Sequence, residues 1–318
     1  ANTDESPTIT QADISSSDAP YLLGFRKSYK VQNGNQTGGA GAADEIATTY
    51  NVEAQDLAQS GWDYTSSSSN ITLSFWVKSS VAQQFQVNMR IYPDSGDQKE
   101  FCFEYTLSAN TWTKVIKTIP GNSNLTFDND ANEGLHIRFL PFFGTDYTNN
   151  SVTEDAWAAY SSSTRTKDNT STWYTTNDAT FELTGVQLEV GPQATAFEHR
   201  SMNEELALCK RYYEIMGNGA SQYMGNGWFY SNSAFYCVIR WEVQKRAVPS
   251  IDQVTGSSYY VVYHTQQADV FDGFSGTSWI NVRGGAFYNS SQVSGTSGNC
   301  GGLGCNNASA FFAVEAEL

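Results

Sequence analysis

The stretch FELTGVQLEVGPQATAFEHRSMNEELALCKRYYE, residues 181–214, joins two β-rich halves of the chain. Its first ten residues alternate between apolar and polar side chains, which is the pattern of a half-buried β-strand. Ser201 and Glu204 have the spacing of a capping box, in which each side chain accepts a hydrogen bond from the other residue's backbone N–H. The stretch therefore predicts a strand that closes the first half and a short helix that follows it.

Apolar side chains recur along the predicted helix at spacings of four and three residues. This heptad-like seam predicts a linking and oligomerisation helix over residues 201–217. An isolated helix of this length is marginal in water, so burial against another surface must hold it. The sequence leaves open whether the seam faces an oligomer axis or the chain's own sheet. The seam consists of Met202, Leu206, Cys209, Tyr213 and Met216.

Several motifs carry a family resemblance. They are GVQLEVG at 185–191, Ala194 and Thr195, FEHRS at 197–201, ELALC at 205–209 and RYY at 211–213, with LSFWVKSS at 73–80 and Ala316, Glu317 and Leu318 as outlying matches. With these motifs the chain resembles the tail-fibre and virion-fibre proteins of marine bacteriophages, cyanophages in particular. In that family the motif follows an N-terminal jelly roll similar to carbohydrate-binding modules.

The resemblance implies a function as well as a fold. It implies a non-catalytic fibre protein on the phage tail or capsid surface, which contacts other virion proteins and attaches to a host-surface glycan as a homotrimer. It also implies a virion-anchoring part that precedes this sequence. In carbohydrate-binding modules of this type, an aspartate of the closing strand can bind structural calcium, whereas this chain has TGVQL at 184–188. We therefore expect no metal and no cofactor.

Length and charge exclude several classes of protein. The chain has 318 residues, 16% of them charged, and a net charge of −15. Binding to a nucleic-acid backbone needs lysines and arginines, so no nucleic acid is expected as a partner. No apolar run has the length of a membrane-spanning helix, so no membrane insertion is expected. The length suggests two domains, a jelly roll over 1–200 and a second domain over 218–318, joined by the helix.

Short alternating segments between turn-like residues predict antiparallel sandwiches. The clearest is ITLSFWVKSS at 71–80, in which Ile71, Leu73, Phe75 and Val77 alternate with mostly polar residues. Similar segments follow on both sides of the junction. The predicted fold is all-β, with an N-terminal jelly-roll β-sandwich, a short linking α-helix and a smaller C-terminal β-sandwich.

The five cysteines are an odd number, so at least one of them has no disulfide partner within the chain. Cys300 and Cys305 bracket a glycine-rich segment and are a candidate small-loop disulfide, whose redox state the sequence leaves open. Cys209 belongs to the helix seam, where a buried thiol is expected.

Aromatic side chains in polar segments are the candidate glycan-binding residues. Sugar rings present apolar C–H groups that stack on aromatic rings, and the alternative is that these aromatics pack across sheets or between subunits. The glycine- and tyrosine-rich loops of the second half lead to the hypothesis that receptor contact lies there, with the jelly roll as a spacer or secondary glycan binder. The candidates are Trp62, Tyr64, Trp157, Tyr160, Trp173 and Tyr174 in the first half and Tyr223, Trp228, Tyr230 and Trp279 in the second.

Acidic residues offer an enzymatic alternative, a glycan depolymerase with two positioned carboxylates. The candidates are Asp128, Asp130 and Glu133 in one loop and Glu154 with Asp155 in another. Solvated acidic turns explain the same residues, because aspartate side chains bond their own backbone in turns. We predict a protein that is not an enzyme. A structural head-fibre, capsid-decoration or filament subunit, or a free-standing carbohydrate-binding protein, is the other alternative.

Overall fold

The computed structural model describes residues 5–265 and 267–317, and the chain divides into two compact units, residues 1–198 and 199–318. The motif residue Leu318 lies outside the described residues. Within them, strands form most of the regular structure and the four helices are short, so the predicted all-β class is confirmed. None of these helices has the length and apolar character that crossing a membrane requires.

The first unit is a sandwich of two five-stranded antiparallel sheets. One sheet has the order β1-β2-β10-β4-β7 and the other the order β3-β8-β5-β6-β9, so the chain crosses repeatedly between them, as in the predicted jelly roll. Its elements are β1 Thr8–Asp13, α1 Ala19–Leu22, β2 Lys27–Gln32, β3 Glu45–Glu53, α2 Ala54–Ala58, β4 Asn70–Ser79, β5 Gln83–Ile91, β6 Lys99–Leu107, β7 Thr113–Pro120, β8 Glu133–Phe143, β9 Ala158–Ala159, α3 Thr172–Thr175 and β10 Thr180–Val190.

Apolar side chains from both sheets form the core of the first unit. The ring centroid of Phe75 on β4 lies 4.9 Å from that of Phe139 on β8 and 5.6 Å from that of Tyr105 on β6. All three side chains are buried. Because successive strand residues point to opposite faces, the polar residues between these apolar ones point away from the core.

The GVQLEVG motif contains a β-bulge. The register of β10 against β4 shifts between Thr184 and Gln187, and Gly185 has a φ of 58°. A Cβ atom on Gly185 would lie 2.5 Å from the ring of Phe25, which packs edge-on against Phe197 at 4.8 Å. Glycine is required here because it permits both the left-handed backbone and the close ring.

The chain after β10 folds back along that strand. The Glu189 carboxylate accepts hydrogen bonds from the backbone N–H and the hydroxyl of Thr195, at 2.9 and 2.7 Å. The side-chain oxygen of Gln187 accepts a hydrogen bond from the backbone N–H of Glu198 at 2.9 Å. The polar residues of the motif thus hold the end of the first unit in place.

The second unit is also a β-sandwich, formed by a seven-stranded sheet in the order β16-β15-β19-β12-β13-β18-β17 and a three-stranded sheet in the order β11-β20-β14. The ring of Phe312 on β20 lies 4.7 Å from that of Phe274 and 4.9 Å from that of Phe287 on β18, which joins the two sheets. Its elements are α4 Met202–Lys210, β11 Tyr213–Asn218, β12 Tyr223–Ser231, β13 Ala234–Arg240, β14 Ser250–Val254, β15 Tyr260–His264, β16 Gln267–Phe271, β17 Gly276–Asn281, β18 Gly284–Asn289, β19 Cys300–Cys305 and β20 Phe311–Glu315.

A buried ion pair ties the segment after β13 to β11. Both Glu214 and Lys245 are buried, and the Lys245 ammonium contacts the Glu214 carboxylate and the carbonyl oxygen of Lys210. The other carboxylate oxygen of Glu214 accepts a hydrogen bond from the backbone N–H of Glu242 at 3.1 Å. Buried charges are tolerated only when they are paired and hydrogen-bonded in this way.

The start of α4 agrees with the sequence prediction. The backbone N–H of Ser201 donates to the Glu204 carboxylate at 2.8 Å, and the Ser201 hydroxyl accepts from the Glu204 backbone N–H at 3.3 Å. This capping box satisfies groups that a helix start leaves unpaired. Met202, Leu206 and Cys209 lie on the helix and are exposed.

The second half of the predicted seam is wrong. The helix ends at Lys210, and Tyr213 and Met216 lie on β11 instead. Strand β11 pairs with β20, with Ile215 opposite Ala313. This pairing satisfies the backbone groups of both strands, which outweighs the helical spacing of the apolar residues.

The candidate disulfide is also wrong. Cys300 and Cys305 are the two end residues of β19 and both are free, the first exposed and the second buried in the core. Residues five apart in a strand are separated by roughly 16 Å, whereas disulfide Cα atoms lie about 4–7 Å apart. The expected buried thiol at Cys209 is wrong as well, because that residue is exposed on α4.

We expect Gly185→Ala to destabilise the first unit by about 2–3 kcal/mol, since the new Cβ meets both a positive φ and the Phe25 ring. Urea unfolding of the variant and the unchanged chain measures this loss. The matched control is Gly39→Ala, where φ is 74° but nothing lies within 4 Å of the added Cβ. That control should lose about 1 kcal/mol. Equal losses in both variants would contradict the packing role of Gly185.

Candidate functional site

Three predicted glycan-binding residues lie in the core of the first unit. Trp62, Trp173 and Tyr174 are buried, Trp173 completely. The indole N–H of Trp173 donates to the carbonyl oxygen of Thr180 at 3.0 Å, and that of Trp62 donates to Ser69 at 3.3 Å. Their assignment as surface aromatics is wrong, because the polar segments around them fold inward and supply hydrogen-bond partners.

Two further candidates are half-buried beside the core. The indole N–H of Trp157 donates to the carbonyl oxygen of Pro120 at 2.8 Å. The ring of Tyr64 packs edge-on against Phe127 at 5.0 Å. These contacts account for both residues without a ligand. Of the first-unit candidates, Tyr160 alone belongs to the polar face described next.

The outward face of the sheet β3-β8-β5-β6-β9 is polar. Across the sheet, one row of paired residues is Asn51, His136, Arg90 and Glu100, and the next is Thr49, Arg138, Asn88 and Cys102. The segment 144–168 lies along this face, because the side-chain amide of Asn88 donates to the carbonyl oxygen of Arg165 at 3.1 Å. The arginine–tyrosine face is defined here as Arg90, Arg138, Arg165, Tyr92, Tyr160, His136 and Glu100.

Tyrosine rings hold the guanidinium groups of this face. The guanidinium carbon of Arg90 lies 3.8 Å from the ring centroid of Tyr160 and 4.2 Å from that of Tyr92. That of Arg165 lies 4.7 Å from the ring centroid of Tyr147. Stacking fixes the plane of a guanidinium and leaves the N–H groups at its edge available.

Several polar atoms of this face have no hydrogen-bond partner among the described residues. They include the buried Nε atoms of Arg90 and Arg138, the side-chain oxygen of Asn88 and Nδ1 of His136. Buried polar groups in folded proteins are nearly always paired. The face therefore has unused donors and acceptors next to each other.

Burial of the Glu100 carboxyl raises its pKa to about 7. Hydrogen bonds from the Asn88 side chain and the Ser161 backbone, together with the charges of Arg90 and Arg165, oppose this increase. Burial outweighs them because it disfavours the charged form of the carboxyl. Near pH 7 Glu100 is therefore divided between its protonated and ionised forms.

Burial also lowers the pKa of His136 to about 4. The carboxylate of Glu133, 3.0 Å from Nε2, acts in the opposite direction, while the charges of Arg138 and Arg90 add to the decrease. His136 is therefore neutral at pH 7 and available as a hydrogen-bonding group.

The candidate catalytic carboxylates each make local contacts. Glu154 forms an ion pair with Lys167 at 2.7 Å, and Asp155 forms one with Lys117. Asp130 accepts a hydrogen bond from the backbone N–H of Asn132 at 2.9 Å. Asp128 accepts one from the backbone N–H of residue 94 at 2.6 Å. These are the contacts expected of acidic turns and surface ion pairs.

A row of aromatic rings lies on the outward face of the seven-stranded sheet in the second unit. Trp228 on β12 is opposite Tyr236 on β13, and Tyr236 is opposite Tyr288 on β18. The ring centroids of these two pairs are 6.2 and 4.8 Å apart, and the ring of Tyr230 lies 5.3 Å from that of Tyr236. The aromatic ladder is defined here as Trp228, Tyr230, Tyr236 and Tyr288.

Three of the predicted aromatics on these strands are strongly exposed. Tyr223, Tyr230 and Trp279 have 63–69% of their surface in solvent. Trp279 has a φ of 54° at a bulge between β17 and β18. A bulky residue in this conformation is strained, and such strain clusters at functional sites. Large exposed apolar surfaces likewise mark binding surfaces.

The strands that carry these aromatics are almost uncharged. Strands β12, β13, β17, β18 and β19 contain a single charged residue, Arg240. Glycines lie beside the rings: Gly276 is opposite Tyr288, and a Cβ on Gly302 would lie 3.1 Å from the ring of Tyr223. The result is a neutral aromatic surface with small residues between the rings.

The sequence prediction missed central residues of both surfaces. The alternation of core and outward residues along the strands could have identified them. The core residues Met89 and Ile137 each stand between two polar residues, and the core residues Phe235 and Phe287 each precede a tyrosine. Those neighbours of core residues must point outward. The missed residues are Arg90, Arg138, Arg165, Tyr92, Tyr236 and Tyr288.

Comparisons with known proteins give weak likenesses. No family model matches the chain, and no curated protein matches it. The enzymatically active domain of tailspike protein 4 of bacteriophage CBA120 is similar over 60% of this chain, with a TM-score of 0.31 and 12% identity, and this chain spans 18% of that structure. The family 11 carbohydrate-binding module of a Clostridium thermocellum cellulosomal cellulase is similar over 62% of this chain and 87% of its own, with a TM-score of 0.29 and 13% identity.

A tandem domain, CBM22-1-CBM22-2 of Paenibacillus barcinonensis Xyn10C, is similar over 100% of this chain and 95% of its own, with a TM-score of 0.28 and 10% identity. Likenesses at these TM-scores carry no argument about ligand or mechanism. The fold assignment rests on the strands and sheets described above.

The raised pKa of Glu100 predicts a pH-dependent stability. The ordinary pKa of a glutamate is 4.5 and the folded value is about 7, so between these values the folded chain keeps a proton that the unfolded chain loses. The free energy of unfolding should therefore fall as pH rises through this window. Glu100→Gln lacks this titration. The free energy of unfolding of this variant should equal that of the unchanged chain near pH 4.5. At pH 8 it should be roughly 1–2 kcal/mol higher, allowing for solvent screening.

Urea unfolding of both proteins at the two pH values measures this difference. His136 titrates in both proteins, so its own pH dependence cancels in the comparison. A difference that stays constant between pH 4.5 and pH 8 would show that the pKa of Glu100 is not shifted.

Proposed function

We propose that this chain is a non-catalytic virion fibre protein of a bacteriophage, a tail fibre or receptor-binding protein that attaches to a host-surface glycan. The aromatic ladder is the observation that carries the proposal. The resemblance of residues 181–214 to marine phage fibres supports the assignment to a virion, on the tail or capsid surface beside other virion proteins. The second unit, which holds the ladder, is then the receptor-contacting part.

The ladder suits a neutral sugar ring. The C–H face of a pyranose is apolar and packs on an aromatic ring, while its hydroxyl groups need hydrogen bonds. The rings of Tyr236 and Tyr288 are inclined by 15° and partly cover one another, whereas Tyr230 is tilted by 51° and exposed. A sugar would therefore pack on Tyr230 and on Trp228, beside which β19 has glycines.

A homotrimer would strengthen such a site. Weak sugar sites gain from several linked copies because the effective concentration of the second and third contact is high. The exposed apolar side chains of α4, Met202 and Leu206, are the surface on which we place the contact between copies. The shorter helix makes this contact smaller than the full seam would have allowed.

A structural role is the second candidate, because the same outward-facing ladder would serve as a contact between subunits of a head fibre, a capsid decoration or a filament. A glycan depolymerase is less favoured, since Glu154 and Asp155 are each paired with a lysine. These functions differ in what the ladder binds, which the next experiment measures.

We expect the unchanged chain to bind at least one neutral glycan on an array of bacterial surface polysaccharides. The double variant Trp228→Ala/Tyr230→Ala should bind it about tenfold more weakly, because each aromatic contact is worth roughly 0.5–1.5 kcal/mol. The control is Tyr263→Ala, which removes a tyrosine that is 58% exposed on β15. Equal binding by the double variant would overturn the ladder as the glycan site. Release of reducing sugar would instead identify a depolymerase.

We expect the chain to have a solution mass near three times 35.0 kDa by light scattering. Leu206→Glu should shift it to the monomer, because a charge on the apolar side of α4 cannot be buried between copies. Asn203→Glu places the same charge on an exposed polar position of the same helix and should leave the trimer intact. A monomeric unchanged chain would contradict the trimer and favour a free-standing carbohydrate-binding protein.

A further inference from the structure

We propose that the arginine–tyrosine face of the first unit binds the negatively charged group of an acidic sugar, a carboxylate or a sulfate ester. This face is separate from the aromatic ladder, and the inference does not depend on glycan binding at the ladder. It rests on arginine Nε atoms and amide oxygens that have no hydrogen-bond partner among the described residues, and on tyrosine rings beside them on one face.

Two arginines on adjacent strands supply the donors. Arg90 on β5 is paired across the sheet with His136, and Arg138 on β8 is paired with Asn88, so the two arginines occupy neighbouring rows on the same face. The Nε atom of each is buried, and no described residue supplies it with a hydrogen-bond partner. Leaving a buried donor unpaired is costly, whereas an anion with two oxygens can accept from a guanidinium in parallel.

The tyrosines hold Arg90 ready for an anion. Its guanidinium carbon lies over the rings of Tyr160 and Tyr92, at 3.8 and 4.2 Å from their centroids. A guanidinium fixed in this way loses little further freedom when a ligand binds. Arg165 approaches from the segment over the sheet. Its Nη1 lies 3.7 Å from the Glu45 carboxylate, and its buried Nε has no hydrogen-bond partner in the described part of the chain.

The acceptors on the same face favour a sugar over a bare anion. Asn88 and Gln86 are almost fully buried, and the side-chain oxygen of each has no hydrogen-bond partner within residues 5–265 and 267–317. Guanidinium groups are donors only, so they cannot bind the hydroxyl protons of a sugar, whereas these amide oxygens can. The tyrosine rings add an apolar surface beside the charges. An inorganic anion would use the arginines and leave the amide oxygens and the rings without a role.

The ionised form of Glu100 competes with an anionic ligand for Arg90. Other charged or titratable groups lie around Glu100. Strand β5 contributes Arg90 and Tyr92, and β8 contributes His136, which contacts Glu133. Its own strand contributes Cys102 and Glu104, and the covering segment contributes Tyr160 and Arg165, of which Arg165 is ion-paired with Glu45. Glu100 is the register neighbour of Arg90 on β6, so protonation of Glu100 removes a negative charge beside that guanidinium. Because its pKa is about 7, the face becomes more positive as pH falls below this value.

Isothermal titration of the full chain with matched trisaccharides tests the proposal. The probes are trigalacturonate, a sulfated galactotriose, neutral galactotriose and sodium sulfate. We expect at least one acidic trisaccharide to bind at least tenfold more tightly than galactotriose and sodium sulfate. Its affinity should fall when salt is raised, because part of the attraction is between charges. Failure of both acidic trisaccharides to bind would overturn the proposal. Binding of sodium sulfate with equal affinity would overturn its sugar part.

Arginine variants locate the site. Arg138→Gln and Arg90→Gln should each weaken binding of the acidic trisaccharide at least tenfold, and Arg240→Gln in the second unit should leave it within twofold. Arg138→Lys keeps the charge and guards against a folding defect. It should bind with intermediate affinity, because an ammonium cannot form the parallel contact of a guanidinium. Unchanged affinity in both glutamine variants would overturn the assignment.

The pH dependence separates this site from the ladder. Binding of the acidic trisaccharide should be roughly three- to tenfold tighter at pH 5.5 than at pH 8, because Glu100 is protonated at the lower pH. Glu100→Gln should remove this difference. The variant Trp228→Ala/Tyr230→Ala should bind the acidic trisaccharide normally, so a failed ladder and a failed arginine–tyrosine face give different results. A pH dependence that persists in Glu100→Gln would contradict the role of this carboxyl.

Discussion

Alternation of side chains along paired strands is the constraint on which both surfaces depend. In the first unit, Phe75, Tyr105 and Phe139 meet between the two sheets. Once such residues point inward, strand geometry forces their neighbours outward. In the second unit, burial of Phe235 and Phe287 places the next residues, both tyrosines, on the outward face. The same burial that holds each sandwich together therefore also builds its surface.

The two surfaces differ in chemistry although their architecture is similar. The arginine–tyrosine face combines cations, a partly ionised carboxyl and buried amides under a long covering segment. The aromatic ladder lies on strands with a single charge, Arg240, and its Tyr230 is exposed while the other three rings are half-buried. Desolvated charges discriminate strongly between ligands, whereas exposed aromatic rings tolerate different sugars. A fibre with both would combine a selective contact with an adaptable one, and several copies would add their affinities.

At the junction between the two units, the local sequence pattern predicts the start of the helix but not its end. The Ser201–Glu204 capping box is predictable from spacing alone, because its contacts lie within four residues. The continuation of the helix was not, since the residues that convert 213–218 into a strand lie about a hundred positions away on β20. That strand buries Glu214 and exposes Ile215, which reverses the order that hydropathy would give. The ion pair between Glu214 and Lys245 makes this reversal possible. Because the two residues are far apart in the sequence, the local pattern does not predict their pairing.

By itself the sequence determined the all-β class, the two sandwiches, most inward-facing residues and the start of the helix, because each follows from periodicity or from contacts between near neighbours. Tertiary structure alone decided which aromatics are surface and which are core. Trp173 and Trp228 both stand in polar, tyrosine-containing segments, yet one is buried and the other joins a ladder. Only the fold brings Arg90, Arg138 and Arg165 to one face, since cross-strand register and the path of the covering segment are long-range properties of the chain.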